Sequence, residues 1–394
     1  MKALIAGGGI GGLACAVALR LRGWDVAVFE QAPELSEIGA GLQISPNGWK
    51  VLEALGVTAH LRDTLFEPEA IEMRMGLGGA RVFRLPLRGY AQARWGAPYI
   101  HVHRADLVAA LEQRLTGLQG DAIHTGQVVS AYGQTGDSAH LIVEDGSTRT
   151  GDIVIGADGL HSVIRAQMLG PDRPRYTGNV AWRAVVAVDR LGAYAPPPTA
   201  CVWVGHKRHA VTTRLRAGSL ANFVGMVETP EPAPESWRAT GSRSDARTAF
   251  QGWAPEIRTL IEQAGVLHRW ALFDRAPLPR WHEGRVALLG DAAHPMLPSM
   301  AQGAVQALED AWALAALLER HGAPDAAFGA YYDQRIARTA RVQKGSAANA
   351  RLFHHASALG RWGVYGPMGL AARLAPDAFH ARQDWVYGFD VTAQ

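Results

Sequence analysis

Cysteine is almost missing from this chain of 394 residues, which has only Cys15 and Cys201. Two cysteines cannot staple a disulfide framework. Neither sits in a Cys-x-x-Cys pair, so no metal site is expected. Charge is also scarce: Asp, Glu, Lys and Arg make up 19% of the residues and leave a net charge of +3. With no run of Lys or Arg, nothing recommends nucleic acid as a partner. No stretch approaches the ~20 consecutive apolar residues of a membrane span, and no membrane partner is expected. Internal repeats and low-complexity tracts are missing too, while the apolar share of 48% is that of a globular chain. No leader pattern precedes the first strand, which begins almost at Met1, so a cytoplasmic location is expected. A chain of this length outgrows one small core, and a large domain with a second one is expected.

What the chain does have is a glycine cluster at its start and an acidic turn about 280 residues later. Residues 2–6 form a short apolar strand. Gly7-Gly8-Gly9-Ile10-Gly11-Gly12 follows, residues 10–21 read as an Ala/Leu-rich helix ended by Gly23, and residues 25–30 read as the next strand. In such a βαβ unit Gly7 makes the tight turn, Gly9 lets the backbone approach a pyrophosphate, and Gly12 lets helix and strand pack closely. The helix N-terminus aims N–H groups and its positive dipole end at the phosphates. Glu30 stands where an acidic side chain accepts ribose hydroxyls. The distant motif is a strand at 285–289 ending in Gly290-Asp291-Ala-Ala-His294-Pro295, before a helix from about 302 to 320. Together, in this order, the two motifs point to one flavin gripped by two distant parts of one chain, and so to an oxidoreductase.

Two further stretches read as parts of the same nucleotide domain. Residues 99–103 form a strand running into a helix at 107–115. Residues 152–156 form a buried strand ending in the loop Ala157-Asp158-Gly159 before a helix at 163–168. Different material lies between: alternating β patterns at 180–188, 201–204, 209–216 and 220–228, with surface loops at 196–198 and 229–244. The fold class expected is α/β, a discontinuous Rossmann-type FAD-binding domain with an inserted, mainly β-sheet substrate domain and a helical C-terminal region. The FAD-binding parts are 1–72, 98–177 and 277–327, and the substrate-binding β parts are 73–97 and 178–276. Residues 328–394 form the helical region, with a helix to about 353 and a docked aromatic tail at 384–390.

At this point the residues resemble the flavin-dependent aromatic hydroxylases, single-component monooxygenases that carry FAD. The resemblance rests on the Gly7–Gly12 loop with Glu30, the run Ile38-Gly-Ala-Gly-Leu-Gln43-Ile-Ser-Pro46-Asn47-Gly48, Arg104, Gly156-Ala-Asp158-Gly159, and Gly290-Asp291-Ala-Ala-His294-Pro295. It covers nearly the whole chain. It implies tightly bound FAD, NADH or NADPH as a transient co-substrate, and O2, which forms a flavin hydroperoxide that attacks an electron-rich ring. One dinucleotide fingerprint, with no second, suits a nicotinamide that visits and leaves. Cofactor-binding residues carried over are Gly7, Gly9, Gly11, Gly12, Glu30, Gln31, Gln43, Arg104, Asp158, Asp291, Gly303 and Ala304. The helix start at Gly303-Ala304 offers N–H donors to the negative edge of a reduced flavin.

Hydroxylation of a phenol needs a base, because a phenolate is far richer in electrons, and an imidazole has the fitting pKa. His209 is the candidate. Alternation puts His209, Val211, Thr213 and Leu215 on one face of their strand, an apolar face with one imidazole. Around it the expected substrate pocket comprises Gln43, Cys201, Val211, Thr213, Met296, Pro298 and Ser299, with Arg183, Arg74 or Arg84 available to a substrate carboxylate. His294-Pro295-Met296, residues 300–304, Glu309-Asp310-Ala311 and the aromatic tail look most like the 6-hydroxynicotinate 3-monooxygenases. That group has His at the position of Gln43, Tyr at that of Thr213 and His at that of Ser299, while Gln43 is what the 3-hydroxybenzoate 6-hydroxylases show; salicylate hydroxylases belong to the same group. The expected substrate is a small hydroxylated aromatic or pyridine carboxylate, with or without loss of the carboxyl group. A bulkier phenolic natural product, or an oxidase or reductase without oxygen insertion, is the alternative. A homodimer through the C-terminal helices is a further expectation.

Overall fold

The computed structural model describes residues 1–35, 41–171, 174–231, 233–235, 239–354 and 358–394, so Ile38, Gly39 and Ala40 of the quoted motif lie outside the described residues. The apolar runs near the N-terminus become adjacent parallel strands, Lys2–Ala6 and Asp25–Phe29, each buried over four of its five residues. Near-continuous burial of this kind belongs to a parallel sheet covered on both faces. The sheet has six strands in the order His282–Glu283, Val286–Leu288, Ile153–Gly156, Lys2–Ala6, Asp25–Phe29, Ile123–His124, parallel except for its first pair.

Register then positions the site. Ala6 pairs with Gly156 and Gly156 with Leu288, so three strands end level with one another. Gly7, Ala157 and Leu289 therefore leave the sheet side by side at its carboxyl edge, where ligands of open α/β sheets bind. The Ile10–Arg20 helix packs against the long helix Gly303–His321, which brings the two distant motifs together.

The second sheet has seven strands in the order His268–Asp274, Arg175–Ala187, Leu220–Glu228, Arg208–Leu215, Ala200–Gly205, Ala70–Met75, Arg81–Pro86. It is antiparallel except where Ala200–Gly205 runs parallel to Ala70–Met75. One face is covered by Arg243–Ala249 and Pro255–Gln263 over a core that includes Trp182, Trp203, Phe223 and Phe250. A separate antiparallel pair, Gly41–Ile44 with Ile100–His103, packs against the Arg208–Leu215 strand of this sheet. A three-stranded meander, Val129–Thr135, Ser138–Val143 and Thr148–Gly151, adds strands where the sequence reading has none.

The C-terminal region is the 30-residue helix Pro324–Phe353, then Ala358–Leu374, Pro376–Ala381 and Asp384–Tyr387. The tail is pinned chemically. Asp384 accepts two 2.8 Å hydrogen bonds from Arg94 and one from the Trp95 indole, and Trp95 meets the Tyr387 ring edge-on at 5.0 Å. Among the described residues no helix is long and apolar enough to cross a membrane.

Candidate active site

A cleft of about 670 Å³ opens between the two sheets and the C-terminal helices. Its floor starts with Gly9, Ile10 and Gly11 at the open end of the Ile10–Arg20 helix, which has no side-chain cap. The glycines divide their work. Gly7 has φ +103°, and a β-carbon there would lie 2.4 Å from the Ala157 carbonyl oxygen; one on Gly12 would lie 2.0 Å from the Gly7 oxygen. A β-carbon on Gly11 would meet the Leu289 side chain at 2.7 Å, whereas one on Gly9 would meet nothing within 4 Å. Gly9 thus faces space that the protein leaves empty, next to unsatisfied helical N–H groups. Glu30 accepts from the Gly8 N–H at 2.8 Å and from the Ala32 N–H at 2.9 Å, which fixes its carboxylate beside the loop, and Gln31 is exposed next to it. These residues fit a dinucleotide such as FAD.

The far wall comes from the acidic turn. Gly290 (φ +62°) donates its N–H to the Asp310 carboxylate at 3.1 Å, which holds the turn against the Gly303–His321 helix. Asp310 also bonds His294 and accepts from Arg335 Nε at 2.7 Å. Burial opposes its charge, yet His294 and Arg335 hold its carboxyl down to about 2. Next to it, Glu309 binds Arg335, Arg338 and Asn47, and Gln302 donates to Ser45 Oγ at 2.8 Å. This buried network fixes the N-terminus of the helix, so Gly303 and Ala304 present their backbone to the cleft. Asp291 is accessible from the cleft but ringed by protein. Burial raises its pKa, against the pull of His294 and Arg104. Arg104 opens the helix Arg104–Leu118 and lines the same space. Asp158 does not line it: its carboxylate accepts from Ile164 N–H at 3.1 Å at the start of Val163–Leu169, while Ala157 and Gly159 on either side do line it.

The substrate side is the open face of the second sheet. His209, Val211, Val224, Met226, Ala200 and Val202 line it, opposite the segment that includes Met296, Leu297, Pro298, Ser299 and Met300. His209 is fully buried, and its Nε2 has no hydrogen-bond partner in the protein. Gln43 also lines the cleft and accepts a 2.7 Å hydrogen bond from the Tyr99 hydroxyl. Two expected pocket residues are corrected. Val202 pairs with Val211, so Ala200 and Val202 face the cleft while Cys201 between them points into the core behind the sheet with Trp203 and Trp182. Burial there pushes the Cys201 thiol well above its ordinary pKa. Thr213 sits one layer back. It accepts from Asn222 Nδ2 at 3.2 Å, and Asn222 Oδ1 takes the Gly41 N–H at 3.1 Å, so Thr213 orients a residue that lines the cleft without lining it itself. Of the three arginines considered for a carboxylate, Arg183 lines the cleft, stacked over Trp270 at 4.7 Å. Arg74 is bonded to Glu72 and Arg84 to Glu69, and neither lines the cleft.

A family model described as FAD binding domain matches residues 1–346. The chain belongs to this family and is a flavin-dependent aromatic monooxygenase. It is 37% identical to 3-amino-4-hydroxybenzoate 2-monooxygenase PtmB3 of Streptomyces platensis, over 98% of this chain and 95% of that protein. It is 38% identical to 3-hydroxybenzoate 6-hydroxylase of Polaromonas naphthalenivorans (strain CJ2), over 99% of this chain and 96% of that protein. Among solved structures, Klebsiella pneumoniae HpxO complexed with FAD and uric acid superposes with a TM-score of 0.84 at 30% identity, covering 95% of this chain and 94% of that one. The sequence reading missed the monooxygenase's C-terminal contribution to the cleft: Leu352, Phe353, Phe379 and Trp385 all line it. It also missed His354, whose Nε2 lies 2.6 Å from His209 Nδ1.

Proposed function

We propose that this monooxygenase uses NAD(P)H and O2 to hydroxylate a small phenolic or hydroxypyridine carboxylate beside tightly bound FAD, with His209 accepting the ring hydroxyl's proton. The observation that carries the reading is the bare Nε2 of a fully buried His209 among the apolar cleft residues Val211, Val224 and Met226. A buried imidazole nitrogen without a partner is costly unless a ligand supplies one. FAD supplies the redox and oxygen chemistry, and the protein supplies position, electrostatics and exclusion of water. The Gly9 cradle takes the pyrophosphate, Glu30 the ribose, Arg104 and Asp291 the middle of the cofactor, and the Gly303 helix end its negative edge. Met296, Pro298 and Ser299 with Val211 then bound a slot for a flat ring. Arg183, at the cleft wall, offers a cation to the carboxylate.

On this reading small single-ring acids are favoured over bulky natural products. The substrates named for the two relatives, a hydroxybenzoate and an aminohydroxybenzoate, belong to that class. The same reading assigns 1–72, 98–177 and 277–327 to the cofactor, 73–97 and 178–276 to the substrate, and 328–394 to closing the cleft. It also places the protein in the cytoplasm as a homodimer. The test is aerobic NADH oxidation by the yellow protein against hydroxybenzoates and hydroxypyridine carboxylates, with peroxide assayed in parallel. A compound that speeds oxidation while little peroxide appears is the substrate. If none of them accelerates NADH loss, the small-acid reading fails.

A further inference from the structure

His209 is the inner end of a chain of three titratable groups that leads out of the cleft. Its Nδ1 lies 2.6 Å from His354 Nε2, and His354 Nδ1 lies 2.9 Å from Glu228 Oε1. The three come from separate elements: the strand Arg208–Leu215, the residue capping the helix Pro324–Phe353, and the last residue of the strand Leu220–Glu228. Accessibility rises along the chain. The His209 residue is fully buried, the His354 side chain is 5% exposed, and the Glu228 side chain 38% exposed. Phe353 packs edge-on to His209 at 5.1 Å beside the inner end.

With both rings neutral and Glu228 a carboxylate, the donor and acceptor roles follow. A carboxylate only accepts, so His354 carries its proton on Nδ1 and donates it to Glu228. The neutral His354 therefore accepts at Nε2, and His209 must donate from Nδ1. What remains is a lone pair on His209 Nε2, the ring atom without a hydrogen-bond partner in the protein, on a residue that lines the cleft. The outer carboxylate thus sets the basic tautomer of the inner histidine.

Resting on the reading of His209 as the base, we infer that His354 and Glu228 are positioning residues that form a proton outlet from the cleft to solvent. The substrate O–H bond breaks as an N–H bond forms at His209 Nε2. The His209 Nδ1 proton passes to His354 Nε2, and the His354 Nδ1 proton passes to Glu228, which yields it to water. One proton leaves, no electron moves, and a phenolate remains beside a neutral histidine. The outlet answers a specific difficulty. Burial, and then His354, hold the His209 pKa far below its ordinary value, so an imidazolium parked there is unfavourable. Burial lowers His354 as well, while Glu228 acts in the opposite sense. Among the described residues Glu228 is the charged group acting on His354, and His354 the titratable group acting on His209.

The experiment uses the FAD-loaded protein and two readouts. First, long-range proton–nitrogen NMR of the histidine rings at neutral pH should show Nδ1–H and bare Nε2 for both His209 and His354, with a mixture of tautomers at both in Glu228→Gln. Protonation of His209 at Nε2, or tautomers indifferent to Glu228→Gln, would overturn the outlet whether or not any ligand binds. Second, 3-hydroxybenzoate is mixed with the oxidised protein in weak buffer and proton release is followed with an indicator dye. Release should slow at least tenfold in His354→Phe and in Glu228→Gln at unchanged flavin content, with the pH dependence of release displaced in Glu228→Gln. Release slowed in His209→Gln but normal in both outer variants sinks the outlet and keeps the base. Normal release in His209→Gln sinks the base itself. Should His354→Phe fail to fold, Glu228→Gln and the tautomer readout still decide.

Discussion

A β-carbon on Gly9 would meet no protein atom within 4 Å, so a side chain there costs the fold little and occupies only the cofactor's space. Gly9→Val should therefore give a folded protein with no yellow colour and the thermal stability of the FAD-free wild type. A purified variant that keeps its full flavin content would refute the pyrophosphate assignment. His209→Gln should keep FAD and slow hydroxylation by roughly 10²–10⁴-fold, the usual worth of a positioned base. The check is single-turnover product formation at neutral pH. Cys201 is the opposite case. Native protein should resist thiol reagents at this residue, and Cys201→Ala should leave KM unchanged while costing on the order of 1 kcal/mol of stability. A changed KM would put Cys201 back in the cleft. These residues also show where residue-level reading stops. His209 and Val211 were readable from alternation alone. The facing of Cys201 depends on a cross-strand register with Thr212 that no single strand contains. His354 is 145 residues from His209 in the chain and carries no local pattern that links them.

Elements were legible where one segment is buried on its own account. Strands Lys2–Ala6 and Ile153–Gly156 read clearly because each is a short apolar run with a glycine at its end or just after it. The meander at 129–151 did not, since many of its outward positions are Thr, Ser, Gly and Gln, and its inward ones are few. The buried ion network hid for another reason. Arg335 and Arg338, spaced three apart on a helix, look like an ordinary solvated face, yet Arg335 is fully buried against Glu309 and Asp310. Removing one partner from such a cluster leaves an uncompensated buried charge and costs about 3–5 kcal/mol. Asp310→Asn should therefore destabilise the protein by that order. It should also raise the rate of FAD loss, because Asp310 anchors the Gly290 turn. Urea unfolding and flavin release on dilution check the two effects. A stability loss without faster flavin release would mean that the turn is held by the sheet rather than by Asp310.

The whole molecule carries its buried histidines as neutral groups, and this sets its response to acid. Burial lowers the pKa of His101 to about 3 and that of His209 well below 6.5, with smaller reductions at His103, His354 and His380. Below about 6.5 the unfolded chain takes up protons that the folded chain refuses. The stabilisation is thus complete above about pH 6.5 and is lost as pH falls, at about 1.4 kcal/mol per pH unit for each group held neutral. Asp310, depressed to about 2, extends the loss: its contribution is present above the ordinary carboxylate range and disappears as pH falls from about 4 toward 2. Asp158 and Asp291 act oppositely, because burial raises them. The free energy of urea unfolding should accordingly fall steadily from pH 7 to 5, most of it carried by the two histidines that are wholly buried. His101, whose ring stacks on Phe66 at 6.0 Å and meets Tyr99 edge-on, isolates one share of this slope. His101→Phe should flatten the dependence by about 1.4 kcal/mol per pH unit below 6.5 while leaving the pH of proton release at the cleft untouched. An unchanged slope in that variant would mean that the folded protein takes up the proton at His101, and that its interior yields to charge more readily than the burial of the ring implies.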